Sequence, residues 1–249
     1  MNATQLSKRI GVLRSEHQKT LNNVFIWSSF ARGALDAAKD DPNFLNQKRF
    51  KVPSNVRDKE VGRTADELKD IAANAVSQEI YYSVFVYVVA QVEAFLGDVL
   101  FEMLSFDNRR IKTRVKGIDH VSKIDVSDVI DSVSREELIS GIILKELTAL
   151  FYASPALQIE YFQSVTGVSL PKELTNQWLE IKATRDIIVH NSGIANSVYL
   201  KKADSLARAK DGEQLPIDEK YFGGAIASMK SLIGKASSGI QAELKKSAA

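Results

Sequence analysis

Residues 80–90 read IYYSVFVYVVA, the most apolar window in the chain. That window falls well short of the roughly 20 residues needed to span a bilayer, and Glu93 follows closely. It reads as a helix buried in a protein core, and no membrane is expected. Upstream, TADE at 64–67 forms a capping box. The Thr64 oxygen can accept from a free first-turn amide while Glu67 reaches back. The helix opened there runs to about Phe106. Its apolar middle makes it the central helix, covered on most sides.

The remaining elements are placed around this one. Leu6, Ile10, Leu13, Leu21, Val24 and Phe25 recur at helical steps. That first helix ends near Asp40-Asp41-Pro42, because proline disfavours helix in the residue before it. Asn43 to Gly62 reads as a loop of mixed charge. Ser134 with Glu137 makes a second capping box, opening a helix that carries Leu138, Ile142, Leu147 and Phe151. Ser154-Pro155 starts another, with serine as N-cap and proline at the first helical position. Pro171 opens a helix carrying Leu174, Trp178, Ile181 and Ile188, with Gly193 as its stop. After the turn DGEQLP, the last helix carries Phe222, Ile226, Met229, Ile233, Ile240 and Leu244. Ile118 to Val133 fits either helix or an extended piece. There is no internal repeat and no long linker. The expected architecture is one all-α domain over residues 1–249, a core bundle with additional helices.

Composition agrees with an ordinary globular protein: 45% of the 249 residues are hydrophobic and 26% charged. With 33 basic against 31 acidic residues the net charge is only +2, so any basic surface must be local. The absence of cysteine excludes disulfides, thiolate metal sites and a cysteine nucleophile. The histidines lie apart at 17, 120 and 190, which argues against a histidine-rich metal site. The N-terminus is polar and lacks the apolar stretch of a signal peptide, so a cytoplasmic location is expected. No glycine loop for phosphates and no GxSxG elbow is present, and no cofactor is expected.

The stretch that carries chemistry is IKATRDIIVHNSGIAN, residues 181–196. Arg185 and His190 are separated by four residues, Asp186 follows the arginine, and Asn191 and Gly193 follow the histidine. Cleaving RNA without a metal needs a group to move the 2′-hydroxyl proton or protonate the leaving oxygen. Imidazole suits this, with an ordinary pKa of about 6.5. The reaction also needs a fixed cation on the phosphorane oxygens, which arginine supplies as a planar fork. On an ideal helix, positions five apart point roughly 140° away from each other. One copy of the pair would converge poorly unless the helix unwinds at His190. Asp186 and His190, four apart, share a face, and this points to Asp186 as orienter of the imidazole.

This arrangement near the end of an apolar helix resembles the signature of the HEPN superfamily, closest to its RiboL-PSP-type and related branches. The run VEAFLGDVLFEML, 92–104, is similar to the family's earlier helix. The resemblance implies a HEPN-like helical bundle and a metal-independent endoribonuclease that leaves a 2′,3′-cyclic phosphate. It further implies a two-fold homodimer in which both Arg185 and both His190 line one groove. Antiviral defence or a toxin–antitoxin pair is the implied setting, with an antitoxin or regulatory protein as a further partner. Asn191 and Glu93 are carried over as supporting residues, Glu93 either as a partner for Arg185 or as a plain helix residue.

Plainer readings stand beside these. Arg185 can serve a structural ion pair, and His190 can sit at a helix C-terminus, where the dipole's negative end favours a cation. His17 reads as a core or interface residue and His120 as a solvated loop residue. Trp178 and the tyrosines of the Ile80 helix fit core positions. Two basic segments could hold RNA phosphates without choosing sequence. One is DNRRIKTRVKG, 107–117, with Arg109, Arg110, Lys112 and Arg114. The other is Gln47 to Arg63, with Lys48, Arg49, Lys51, Arg57, Lys59 and Arg63. The alternative function is a HEPN-like helical interaction module without activity.

Overall fold

Helix α1 (Ala3–Ala38) begins with a capping box that the sequence reading passed over. The Asn2 side chain accepts from the Gln5 amide, and the Gln5 side chain accepts from Asn2. In this computed structural model, residues 1–46, 51–53, 55 and 61–246 are described. Leu6, Ile10, Leu13, Leu21 and Val24 of α1 are buried, as their spacing predicts. The helix stops ahead of Pro42, which occupies the first position of the short α2 (Pro42–Leu45). A two-residue antiparallel pair follows, β1 (Lys51–Val52) with β2 (Val61–Gly62). Within the second basic segment, Lys48, Arg49, Arg57 and Lys59 lie outside the described residues. Arg63 pairs with Glu67 at 3.3 Å.

The predicted central helix is continuous from Ala65 to Phe106. It comprises α3 (Ala65–Asn74), a single π turn (Ala75–Glu79) and α4 (Ile80–Phe106). The Thr64–Glu67 box forms as expected, with the Thr64 amide 2.8 Å from the glutamate. The apolar run extends beyond 80–90: an 18-residue window within this helix reaches a mean hydropathy of 1.8, enough to cross a membrane by length and composition. Half of that window is buried in the fold. Helix α4 touches α1, α6 (Arg135–Tyr152), α7 (Pro155–Thr166), α8 (Lys172–Asn191) and α10 (Glu219–Lys246). Phe85, Val88, Val89, Val92, Phe95 and Val99 are sealed from solvent. Ser83, Tyr87, Ala94 and Asp98, at i, i+4, i+11 and i+15, form the stripe that stays exposed.

Beyond α4, the basic connector is folded rather than loose. A 3₁₀ turn spans Asn108–Lys112. Arg109 holds Asp107 through two bonds of 2.8 and 3.2 Å. Arg110 donates to the Val165 carbonyl, and Arg114 donates to the carbonyls of Ile111, Thr113 and Val121. His120 is not a solvated loop residue. Its Nδ1 lies 2.5 Å from the fully buried Glu146 carboxylate, whose other oxygen accepts from the Val121 amide at 2.9 Å. A carboxylate left alone at that depth would be costly, so the connector is drawn inward to satisfy it.

The ambiguous stretch after Ile118 resolves into irregular chain and a short α5 (Val126–Asp131), tied to α6 by Lys145 at 2.5 Å from Asp128. At the start of α6, Ser134 caps Glu137, whose carboxylate reaches one residue past the cap to the Val133 amide. Ser154 takes the N-cap position of α7 without a side-chain bond, with Pro155 at the first helical position. Helix α9 (Ser197–Ala203) was not anticipated. Trp178 is buried, as expected, and so are Phe222, Ile226, Met229, Ile233, Ile240 and Leu244 of α10. Among the described residues the regular elements are helical apart from the β1–β2 pair and an isolated bridge between Ile194 and Gln214.

Candidate active site

Helix α8 carries the Arg185–His190 pair antiparallel to α4. The register is fixed at two levels. Lys182, almost fully buried, donates to Glu93, while Ile188 and Ser192 lie beside Tyr82, Ser83 and Val86. Arg185 therefore sits level with Ala90. The helix stays regular through Asn191, so it does not unwind at His190. It ends with Ser192 and Gly193 both at positive φ, 51° and 77°. The Gly193 amide donates back to the Ile187 carbonyl at 3.0 Å, and Asn191 Nδ2 donates to the Ile194 carbonyl at 2.5 Å. A Cβ on Gly193 would lie 2.4 Å from the Tyr82 hydroxyl, so glycine is required there.

His190 is exposed, and its ring makes no hydrogen bond among the described residues. Asp186 is not its orienter. One Asp186 oxygen accepts from Arg185 at 3.2 Å, and the other accepts from Lys202 of α9 at 2.9 Å. Burial alone would raise this carboxyl, yet Lys202, Lys182 and Arg185 together hold it below the usual carboxylate range. Arg185 is about three-quarters buried, and its Nε is buried without a partner. Glu93 does not reach Arg185; its partner is Lys182. Asn191 serves the helix end. Arg185 and His190 therefore remain roughly 140° apart around α8.

The expected basic connector stands elsewhere. It follows the far end of α4, while His190 lies near Ser83, about 35 Å away along the helix at 1.5 Å per residue. Arg110 and Arg114 are committed to carbonyls and Arg109 to Asp107. Lys112 is exposed. These four residues do not border the Arg185–His190 stretch of the chain.

Two features escaped the sequence reading. Lys202 enters the site from α9, sixteen residues beyond Asp186. On the opposite side of α8, buried Glu180 accepts from Thr184 at 2.7 Å, Arg208 at 3.0 Å and Tyr221 at 2.8 Å. Arg208 also lies over the Tyr221 ring, 3.3 Å from its centroid. Burial pushes the Tyr221 hydroxyl well above its usual range, and the Glu180 charge adds to this. The only sequence signal was a glutamate and a threonine four apart on α8. Among the described residues, no group of three or more His, Asp or Glu side chains could hold a metal ion. Comparison with protein-family models, curated proteins and solved structures finds no match to the chain.

Proposed function

We propose that this chain is a metal-independent endoribonuclease of HEPN type that acts as a homodimer in the cytoplasm. The observation that carries the reading is the placement of His190. Its imidazole is exposed, without a hydrogen bond among the described residues, and on the same helix as a guanidinium whose Nε is unspent. Helix α8, which carries both side chains, packs against α4 beside its bare stripe of Ser83, Tyr87 and Ala94. A second copy covering that stripe through a two-fold axis brings the two α8 helices face to face. The 140° divergence within one protomer is then no obstacle, because each imidazole works with its partner's guanidinium.

In this mechanism His190 takes the 2′-hydroxyl proton or returns one to the leaving 5′-oxygen, and Arg185 stabilises the charge on the phosphorane. The products are a 2′,3′-cyclic phosphate and a 5′-hydroxyl. Antiviral defence or a toxin–antitoxin pair is the setting we infer, with a regulatory protein as partner. The test is incubation of the purified protein with total RNA in chelator. Wild type should cut, and His190→Ala should not while melting as wild type does. Equal cutting by both removes the assignment.

A second reading, a helical interaction module, is favoured by the Asp186 contact, which already occupies one edge of Arg185. Under that reading Arg185→Ala changes stability alone.

A further inference from the structure

A groove of about 650 Å³ opens between the start of α7, α8 and α9, within the size range of sites for small organic ligands. Pro155, Ala156, Leu179 and Val198 give it apolar walls, and Lys201 and Lys202 stand at its rim with no carboxylate among the lining residues. Val198, 56% exposed, gives the groove wall an accessible apolar surface beside the two lysines. The groove is joined to the candidate site through Lys202, whose ammonium also reaches Asp186. Leu179 precedes Asp186 by seven residues, two turns on one face of α8, or about 10.5 Å. His190 lies one turn further along that face.

We propose that this groove binds the nucleotide flanking the scissile phosphate of a single-stranded RNA. The proposal rests on the nuclease reading and gives that site its substrate path. The flat, amphipathic base lies against Leu179, Val198 and Pro155, and the backbone phosphate meets Lys201 and Lys202. Cations paired with an apolar wall match a nucleotide, which presents a charged backbone and an aromatic face. The strand then runs along α8 towards Arg185 and His190. Lys202, shared between Asp186 and the phosphate, is a positioning residue.

The experiment measures anisotropy of a fluorescein-labelled, mixed-sequence single-stranded oligoribonucleotide with full-length His190→Ala protein at several salt concentrations. Lys201→Ala and Val198→Asp are each added to that background, with Lys8→Ala as a surface-charge control. Both groove variants should weaken binding by roughly tenfold, and Lys201→Ala should reduce the log–log salt slope by about 0.7. In protein with His190 intact, Lys201→Ala should raise KM far more than it lowers kcat. Binding and KM unmoved by both groove variants, in protein that still cuts RNA, overturn the groove and leave the nuclease standing. Binding that depends on the groove without any cleavage overturns the nuclease and retains the groove. Protein that does not bind RNA overturns both, and tight binding of an acidic peptide in its place points to a protein partner instead.

Discussion

Asp186 holds two cations from different elements, Arg185 beside it and Lys202 from α9, and the sign of its effect on stability follows. A carboxyl whose folded pKa is depressed contributes stability above its unfolded value, near pH 4, and loses it as pH falls through the lower folded value. Asp186→Asn should therefore cost about 1–2 kcal/mol at neutral pH, between the values for exposed and buried charged pairs. The cost should vanish in strong acid, and melting temperatures followed from neutral pH down to pH 2–3 give the check. Gly193 makes a sharper demand. Its φ of 77° and the Tyr82 hydroxyl leave no room for a side chain. Gly193→Ala should cost about 2 kcal/mol or more in urea unfolding. It should also disturb His190, three residues upstream.

At the scale of elements, the helices with long apolar periods were legible: α10 buries the residues its spacing selects, α1 all but the half-buried Phe25, and α8 buries Trp178 and Ile181 while Leu174 and Ile188 are half-buried. Thr64–Glu67 and Pro155 were legible because caps and first-turn prolines are local chemistry. What was not legible depended on partners distant in sequence. His120 looked like a loop residue because nothing nearby reveals that Glu146, 26 residues on, waits buried for it. The i,i+4 spacing of Asp186 and His190 was real, but Lys202 and Arg185 outcompete the imidazole. The connector arginines looked like an RNA surface, yet Asp107 takes Arg109 and backbone carbonyls take Arg110 and Arg114. Arg114→Ala should accordingly speed hydrogen exchange around residues 111–121 and leave RNA affinity within about twofold, since exposed charges far from the site act weakly through solvent. Glu180 poses the opposite case, a buried hub between α8, α10 and the Arg208 segment. Glu180→Ala strands Arg208 and should cost about 3–5 kcal/mol in denaturant titration. A loss below 1 kcal/mol would show that the hub relaxes or takes in water.

For the whole molecule, the decisive question is whether one protomer or two make the site, and the α8 geometry allows an answer without a complex in hand. Tyr87 and Val189, each 47% exposed, belong to the face that a second copy would cover. Tyr87→Glu should convert a dimer to a monomer by light scattering, because an unpaired carboxylate in a desolvated interface is strongly unfavourable. Monomerisation should abolish cleavage while the fold persists. Complementation supplies the finer test. Arg185→Ala and His190→Ala proteins should each be inactive. Mixed and allowed to exchange subunits, half of their dimers carry one intact guanidinium and one intact imidazole on different protomers. If the groups act across the two-fold axis, the mixture should recover roughly a quarter of wild-type activity, one working pair in half of the dimers. If each imidazole instead worked with the guanidinium of its own chain, no mixture could recover any, because neither variant chain keeps both groups. Recovery thus distinguishes a composite site from a self-contained one, and the 140° divergence along α8 predicts recovery.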